Sequence, residues 1–437
     1  MSTTLANARI ELSKQLRDDW VSATTSAGNA GGTTMIDSAL IAKANDWITD
    51  ETYDLITEAA HAALNEERRI TSLDNSTGTV TVHAAHGAPT QIASGVDYEL
   101  HRLATASDKR RALIAACRTS YPAIHERIWD ESLVSHNWLK DGSFEIWTST
   151  SALTNWTKAG SSTLAQTSTA YYFKHGSYSC KISGAADNIR QSVTNHDDLK
   201  KLAGKTVTFT LQGWCDTASC LRIAIYDGTT YTYSDYHDGD SAWTEDDDPL
   251  EVEATIKDNP TVIAFIIYHA SASGISYVDD ARVISDVCPR MYIGNLGLAQ
   301  NQPVQLFIER SNYSNVEPWH LIHNAVIDYE NGYMYLPSSV SPDYRLRIKG
   351  KGYLDFLASG VSSTAWTATV NVDQPQLDIL IAEAILYLYT EMAMPNFTQG
   401  TRKDYQEMIG YWKQEAQIRR NKFGMTPLSI PVDWGLG

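Results

Sequence analysis

The sequence has no CxxC pair and no cysteine with a histidine at metal-ligand spacing. Its five cysteines, Cys117, Cys180, Cys215, Cys220 and Cys288, therefore read as buried free thiols and not as a disulfide framework or a zinc site. GxSxG, Walker, HExxH and Rossmann patterns are all absent, and no enzymatic activity is expected. Basic residues are few: 35 Lys and Arg stand against 52 Asp and Glu, a formal net charge of −17. That balance argues against a protein that grips a nucleic-acid backbone by counterion release. The longest apolar run, "LDILIAEAILYLYTEMAM", is interrupted by Asp378, Glu383 and Glu391, which argues against a membrane span. The N-terminus, "MSTTLANARIELSKQLRDDW", has no apolar core of a secretory signal, so a soluble, non-exported chain is expected. No repeat with a period of 20 to 50 residues is present.

What the chain does have is 23 Tyr and 12 Trp in 437 residues, which favours strands with aromatic faces and more than one core. Leu5, Leu12, Leu16 and Trp20 fall near helical spacing and predict an amphipathic helix over residues 5–22, followed by a Gly-rich linker, "TSAGNAGG". Residues 33–103 read as a small β-rich domain. Within it the Ala-rich stretch at 55–69 is either helix or strand-loop-strand. Ser107 offers an N-cap for a helix through "DKRRALIAACRTSYPAIHERIWDES", kinked or divided at Pro122.

From Trp138 to Val287 the texture changes to short alternating runs. In "KTVTFTLQGW", Val207, Phe209 and Leu211 point one way and the threonines the other, as in a half-buried antiparallel strand. "SYSCKIS", "CLRIAIYDG", "TVIAFIIYHA" and "SYVDDARVI" repeat the pattern and predict a β-sandwich. A second β segment follows, with "AVIDYENGYMYLP" as a hairpin turning at Asn331-Gly332. Pro375 opens a helix with Leu377, Ile381, Ala384 and Leu388 on one stripe. Thr401 and Asp404 cap a last helix striped by Tyr405, Met408, Ile409, Trp412 and Ala416. The tail, "MTPLSIPVDWGLG", sets Leu428, Ile430, Val432, Trp434 and Leu436 among polar, small and proline residues. It docks either on its own chain or on a partner.

The expected fold class is α+β: terminal amphipathic helices, β-rich domains and an inserted antiparallel jelly-roll sandwich. The expected partition is 1–32 (helix and linker), 33–137 (β-rich segment and helix), 138–287 (sandwich), 288–373 (second β segment), 374–424 (helices) and 425–437 (tail). Two further clusters are assigned bland roles. "HAAHG", with His83 and His86, reads as a solvated loop, and "TEDDDPLEVE" at Thr244–Glu253 as an acidic turn.

Residues 138–287 resemble the carbohydrate-binding modules of the family 4/9/22-like jelly-roll group, on "LKDGSFE" (Leu139 to Glu145), Trp156, "HGSYSCKIS", "KTVTFTLQGW", Trp243 and "SYVDDARV". The resemblance implies that Glu145, on the first strand, and Asp279, on the last, help hold a structural Ca2+; backbone N–H donors would serve these carboxylates equally well. Asp279 is expected to share an inward phase with Tyr277, Ala281 and Val283. The resemblance also implies glycan stacking on exposed rings, for which Trp214, Tyr226, Tyr233 and Trp243 are the candidates, with Tyr231 and Tyr236 in the same crowded stretch.

The remainder, "RITSLDNSTGTVTV…ASGVDYELHR" with "ALIAACRTSYP" and the C-terminal helices and tail, is similar to head-to-tail connector (adaptor) proteins of tailed bacteriophages. That similarity implies a virion protein assembled in the host cytoplasm. It would form a homo-oligomeric ring between portal and tail or stopper proteins, with DNA passing the lumen without specific binding and no membrane partner. Tyr405, Ile409, Trp412, Leu428, Ile430 and Trp434 would make the subunit or portal contacts. The rival expectation is a carbohydrate-binding host-recognition or virion decoration protein that engages cell-surface glycans.

Overall fold

The structure is a computed structural model and describes residues 2–48, 51–87, 91–285, 290–300, 304–309, 319–358, 360–393 and 402–425. They fall into two units, the first drawn from Met1–Glu126 and Tyr353–Pro427, the second from Arg127–Gly352. The class is α+β, with antiparallel sheets throughout. The second β segment, through Gly352, belongs to the unit that holds the sandwich.

In the first unit the helices Leu5–Leu16, Ala106–Thr119, Leu377–Ala393 and Arg402–Phe423 share one core with Leu5, Leu12, Leu113, Ala116, Ile381, Leu388 and Trp412. The first helix stops six residues short of its expected end. Arg17 turns left-handed at φ 55°, and Trp20–Ala23 pairs instead with Asp97–His101. The buried Asp18 carboxylate fixes that exit by accepting from Lys109 Nζ at 2.9 Å and from the Arg102 N–H at 2.7 Å.

A six-stranded sheet runs in the order Trp20–Ala23, Asp97–His101, Tyr53–Ile56, Glu67–Asp74, Thr79–Val82, Thr34–Ile36, and a Ser26–Ile36 bridge joins its two edges. The supposed linker is part of this closure: the Gly28 N–H donates to the Ile92 carbonyl, and a Cβ at Gly28 would lie 1.8 Å from the Thr34 oxygen. The Ala-rich stretch is strand-loop-strand, because pairing on both sides outweighs helix propensity. His86 is buried, its Nε2 2.6 Å from Asp54, so the solvated-loop expectation fails there.

The N-cap of Ala106–Thr119 is Thr105, not Ser107, in a reciprocal capping box with Asp108. Ser107 instead donates to Glu67. The helix ends before Pro122, and "HERIWDES" leaves as the strand Glu126–Val134, pairing with Arg345–Gly352. The late helix begins at Leu377, two residues beyond Pro375. Thr401 and Asp286–Pro289, with Cys288, lie outside the described residues, as does the tail with Leu428, Ile430 and Trp434. Cys117, Cys180, Cys215 and Cys220 are free and buried. Among the described residues no helix is long and apolar enough to cross a membrane.

The second unit contains a sandwich of two five-stranded antiparallel sheets. The first is ordered Thr157–Lys158, Asp187–Val193, Ile263–His269, Leu221–Tyr226, Tyr231–Tyr233. The second is ordered Thr163–Thr167, Ser179–Ser183, Ile275–Ile284, Thr206–Cys215, Leu250–Thr255. Ile189, Ile223, Phe265 and Ile267 of one sheet meet Val207, Phe209, Leu211, Val278 and Val283 of the other, with Phe209 and Phe265 5.9 Å apart edge to face. "LKDGSFE" is not a strand: Asn137–Ile146 is turn and coil, and the first short strand is Trp147–Ser149. A bulge where Thr210 and Gln212 face Arg282 and Asp279, with Asp280 at φ 48°, breaks the phase of the last strand. Val278, Ala281 and Val283 enter the core, whereas Tyr277, expected among them, faces outward.

Residues 290–352 add a three-stranded sheet and, with Glu126–Val134, a four-stranded one, around a core of Met291, Leu306, Met334 and Ile348. The "DYENG" hairpin is wider than expected. Asp328 pairs with Tyr333 across a four-residue loop, and the Asp328 carboxylate accepts from the Glu330 and Asn331 N–H groups. The segment is tied to the sandwich by Arg282–Asp343 at 2.8 Å and Arg290–Asp198 at 2.7 Å.

Candidate functional site

Alternation in the first sheet decides what its outer face displays. Ile223 and Ile225 point into the core, so Arg222, Ala224 and Tyr226 point out; Phe265 and Ile267 point in, so Ala264, Ile266 and Tyr268 point out. The register sets Arg222 opposite Tyr268, Ala224 opposite Ile266 and Tyr233, and Tyr226 opposite Ala264 and Tyr231. Ala224, Ala264 and Ile266 are buried on this face, and what reaches solvent is the tyrosines at one side. Tyr226 stacks on Tyr231 at 4.4 Å and 27°, Tyr231 on Tyr233 at 5.9 Å and 15°, and Tyr233 meets Tyr268 at 5.8 Å. The Arg222 guanidinium sits 4.0 Å from the Tyr233 ring centre and 4.6 Å from that of Tyr236. Such cation–π contacts hold rings in place without covering both faces. Tyr231, Tyr233 and Tyr236 remain 43%, 42% and 37% exposed. Burial, and then Tyr233 beside it, pushes the Tyr268 phenol up to about 12, so it stays a neutral donor at ordinary pH.

The outer face of the second sheet is closed. Trp214 is 7% exposed, packed edge-on against Tyr172 at 5.4 Å and Tyr277 at 5.2 Å, while Tyr172 and Tyr277 stack at 4.0 Å. Trp243 donates its Nε1–H to the Tyr171 carbonyl at 2.9 Å, holding the covering turn in place. Of the four expected stacking residues, Tyr226 and Tyr233 share the open face. Trp214 and Trp243 belong to packing on the other sheet, since a turn at Ala170–Tyr172 lies over them. Arg222 and Tyr268 were not anticipated, although the alternation of "CLRIAIY" and "TVIAFIIYHA" places both on the open face.

Glu145 and Asp279 come together in function, as clamps on one loop. Asp279 Oδ2 accepts from the Lys174 and His175 N–H groups at 2.6 and 3.0 Å, and Glu145 Oε1 from those of Ser177 and Tyr178 at 2.8 and 3.0 Å. Between these pairs Gly176 sits at φ 73°, where a Cβ would lie 2.1 Å from Glu145 Oε1. Asp141 accepts from the Glu145 and Ile146 N–H groups. Burial raises all three carboxyls, Asp141 and Glu145 to about 7 and Asp279 well above the usual range. Among the described residues no group of three His, Cys, Asp or Glu side chains is placed to hold a metal ion. The donor set does not fit the expected Ca2+: these oxygens face N–H groups, the bonding of a loop acceptor.

The expected subunit or portal contacts lie partly in the chain's own core. Trp412 is 6% exposed there, and Tyr405 and Ile409 are half-buried against it.

No family model matches the chain, and no curated protein matches it. Solved structures that it resembles include TmCBM61 in complex with β-1,4-galactotriose, 15% identical over 34% of this chain and 99% of that one, with a TM-score of 0.27. The CBM22-1 xylan-binding domain of Paenibacillus barcinonensis Xyn10C is 14% identical over 37% of this chain and 97% of that one, TM-score 0.27. The enzymatically active domain of bacteriophage CBA120 tailspike protein 4 is 13% identical over 34% of this chain but 21% of that one, TM-score 0.27. The sandwich is defined by its own two five-stranded antiparallel sheets.

Proposed function

We propose that the second unit binds glycans, and that the open tyrosine face of the first sheet is where it does so. One observation carries the reading: Tyr226, Tyr231 and Tyr233 form a run of stacked rings beside Arg222 and Tyr268, left partly exposed on a rigid sheet. A pyranose ring presents an apolar C–H face that settles on such rings, and its rim of hydroxyls meets phenols and a guanidinium. The reading is binding without catalysis. In the phage-virion setting that the flanking segments resemble, the glycan would be one on a cell surface, and the chain a host-recognition or decoration protein. The adaptor reading, with its ring, portal and tail partners, has no support from the comparisons.

A glycan array tests it. The intact protein is expected to retain a defined set of glycans, and the double variant Tyr231→Ala/Tyr233→Ala to lose them with an unchanged melting midpoint. Equal retention by both would overturn the reading. Release of reducing ends from a bound glycan would overturn the non-catalytic part.

A further inference from the structure

The strand Arg345–Gly352 reads "RLRIKGKG" and sets a cation at every second position: Arg345, Arg347, Lys349 and Lys351. Leu346 and Ile348 enter the core around Met291, so alternation puts the cations on the opposite face of the four-stranded sheet. In a chain of net charge −17 this row is a local reversal of sign. Neighbouring strands add aromatic rings to the same face. Phe307 stands opposite both Arg347 and Leu321. The Arg347 guanidinium lies 4.3 Å from the Trp319 ring centre and 4.9 Å from that of Trp129. Lys349 Nζ lies 3.9 Å from the Trp129 ring centre and 5.0 Å from that of Phe307.

The middle of the row is open to solvent. Trp129 is 58% exposed, Arg127 two residues before it is exposed too, and Lys349, Phe307, Trp319 and Leu321 are partly exposed. Arg347 is engaged, its Nε donating to Glu131 at 2.6 Å. Lys349 and Arg127 differ from it: among the described residues neither has a carboxylate at ion-pair distance. An ammonium held against a ring keeps its full charge, so an incoming carboxylate pairs with Lys349 without displacing an anion. The exposed indole beside it suits the apolar C–H face of a pyranose. Charge narrows the choice of anion. Glu131 and Glu309 share the face, and with the net charge of −17 they disfavour a nucleic-acid strand, which brings one phosphate per nucleotide. A saccharide with isolated carboxylates meets the unpaired cations and less of that repulsion.

We infer that this face is a second binding site, specific for an acidic saccharide, with a carboxylated pyranose stacked on Trp129 and its carboxylate accepting from Lys349 Nζ. It does not rest on the tyrosine face, and the test separates the two. The intact chain and the Tyr231→Ala/Tyr233→Ala variant are titrated by calorimetry with an α-1,4-linked galacturonic acid trimer, sialyllactose, lactose and an oligo-deoxythymidine, at low and at high salt. The first two probes distinguish a uronic from a sialic acid as the source of the carboxylate. Lactose is the neutral control, and the oligonucleotide tests the other class of polyanion.

The tyrosine double variant is expected to keep a saturable site for at least one acidic saccharide, weakened by salt, with lactose about tenfold weaker or more. Lys349→Gln should weaken that site about tenfold, and Lys349→Arg, which keeps the charge, should retain most of it. Trp129→Ala should weaken it to a similar degree with an unchanged melting midpoint, because the ring is exposed; Lys349→Gln serves if that variant does not fold. No binding of either acidic saccharide, equal binding of lactose, or full affinity in Lys349→Gln overturns the inference and leaves the row as a solvated face. Loss of all binding in the tyrosine double variant also overturns it, by assigning the acidic saccharide to the open face. Tighter, Lys349-dependent binding of the oligonucleotide overturns the choice of a saccharide.

Discussion

The two outer faces of the sandwich are both rich in aromatic residues, and only one of them is available. On the second sheet Trp214 and Tyr277 are buried beneath a turn whose Tyr172 stacks on Tyr277 and meets Trp214 edge-on. On the first, Tyr231 stacks on Tyr233 and Arg222 lies against Tyr233 and Tyr236, and all three rings stay partly exposed. Aromatic content is therefore no guide to a binding face. What counts is whether a loop spends the rings on the protein's own packing.

Substitutions separate the faces, and the largest expected effect is on the closed one. Trp214→Ala should destabilise the unit by about 3–5 kcal/mol in chemical denaturation. Any glycan bound at the open face should still be bound at temperatures where the variant is folded; a selective loss of binding without loss of stability would assign Trp214 to the ligand. Gly176→Ala comes next. The left-handed backbone and the approach of Glu145 to 2.1 Å from the new Cβ predict a loss of about 1–3 kcal/mol, seen as a lower melting midpoint.

On the open face, Tyr233→Ala should leave the midpoint alone and weaken glycan binding by about tenfold or more, as truncation of an anchoring ring does. Isothermal titration decides, and an equal loss of stability would make the ring a packing residue after all.

A pH series tests the loop clamp. Asp141 and Glu145 titrate near 7 in the folded unit because burial disfavours their charge, whereas unfolded carboxyls titrate near about 4. The native state thus holds more protons between those values. The stability they contribute is fully present below the lower value and is lost as pH rises through about 7. The midpoint should fall between about pH 5 and pH 8, and Glu145→Gln should flatten that slope. The smallest expected effect is that of chelation: EDTA or added Ca2+ should leave the midpoint unchanged. A rise with Ca2+ at the higher pH would restore the metal role of Glu145 and Asp279.

Much of the sandwich was legible because a strand advertises its faces every second residue. "KTVTFTLQGW" shows Val207, Phe209 and Leu211 as core and Trp214 in the opposite phase, and the structure places them so. The signal fails where geometry departs from period two. The bulge at Asp279–Asp280 turns Tyr277 outward, and "LKDGSFE" is held as coil by Asp141 accepting from Glu145 and Ile146, a tie that reads in sequence as a strand start. It fails again where helix-forming residues are captured by neighbours, as at 53–56 and 126–134, since pairing partners distant in the chain carry no local mark. The open face was half legible: Tyr226 and Tyr233 were found from the crowding of tyrosines, while alternation gives the face of Arg222 and Tyr268 but their adjacency required the register that pairs these two residues, 46 apart in sequence.

The sequence by itself determined the class of fold, the position of the sandwich, and the two sides of each regular strand. These follow from the chain's own periodicity and from where its aromatic and apolar residues fall. Tertiary structure alone decided which aromatic face stays open, that Glu145 and Asp279 clamp a common loop, and that Trp129 lies beside Lys349 on one sheet face. Each of those depends on a turn, a bulge or a cross-strand register, and so on residues far apart in sequence being held at fixed separations that no local pattern encodes.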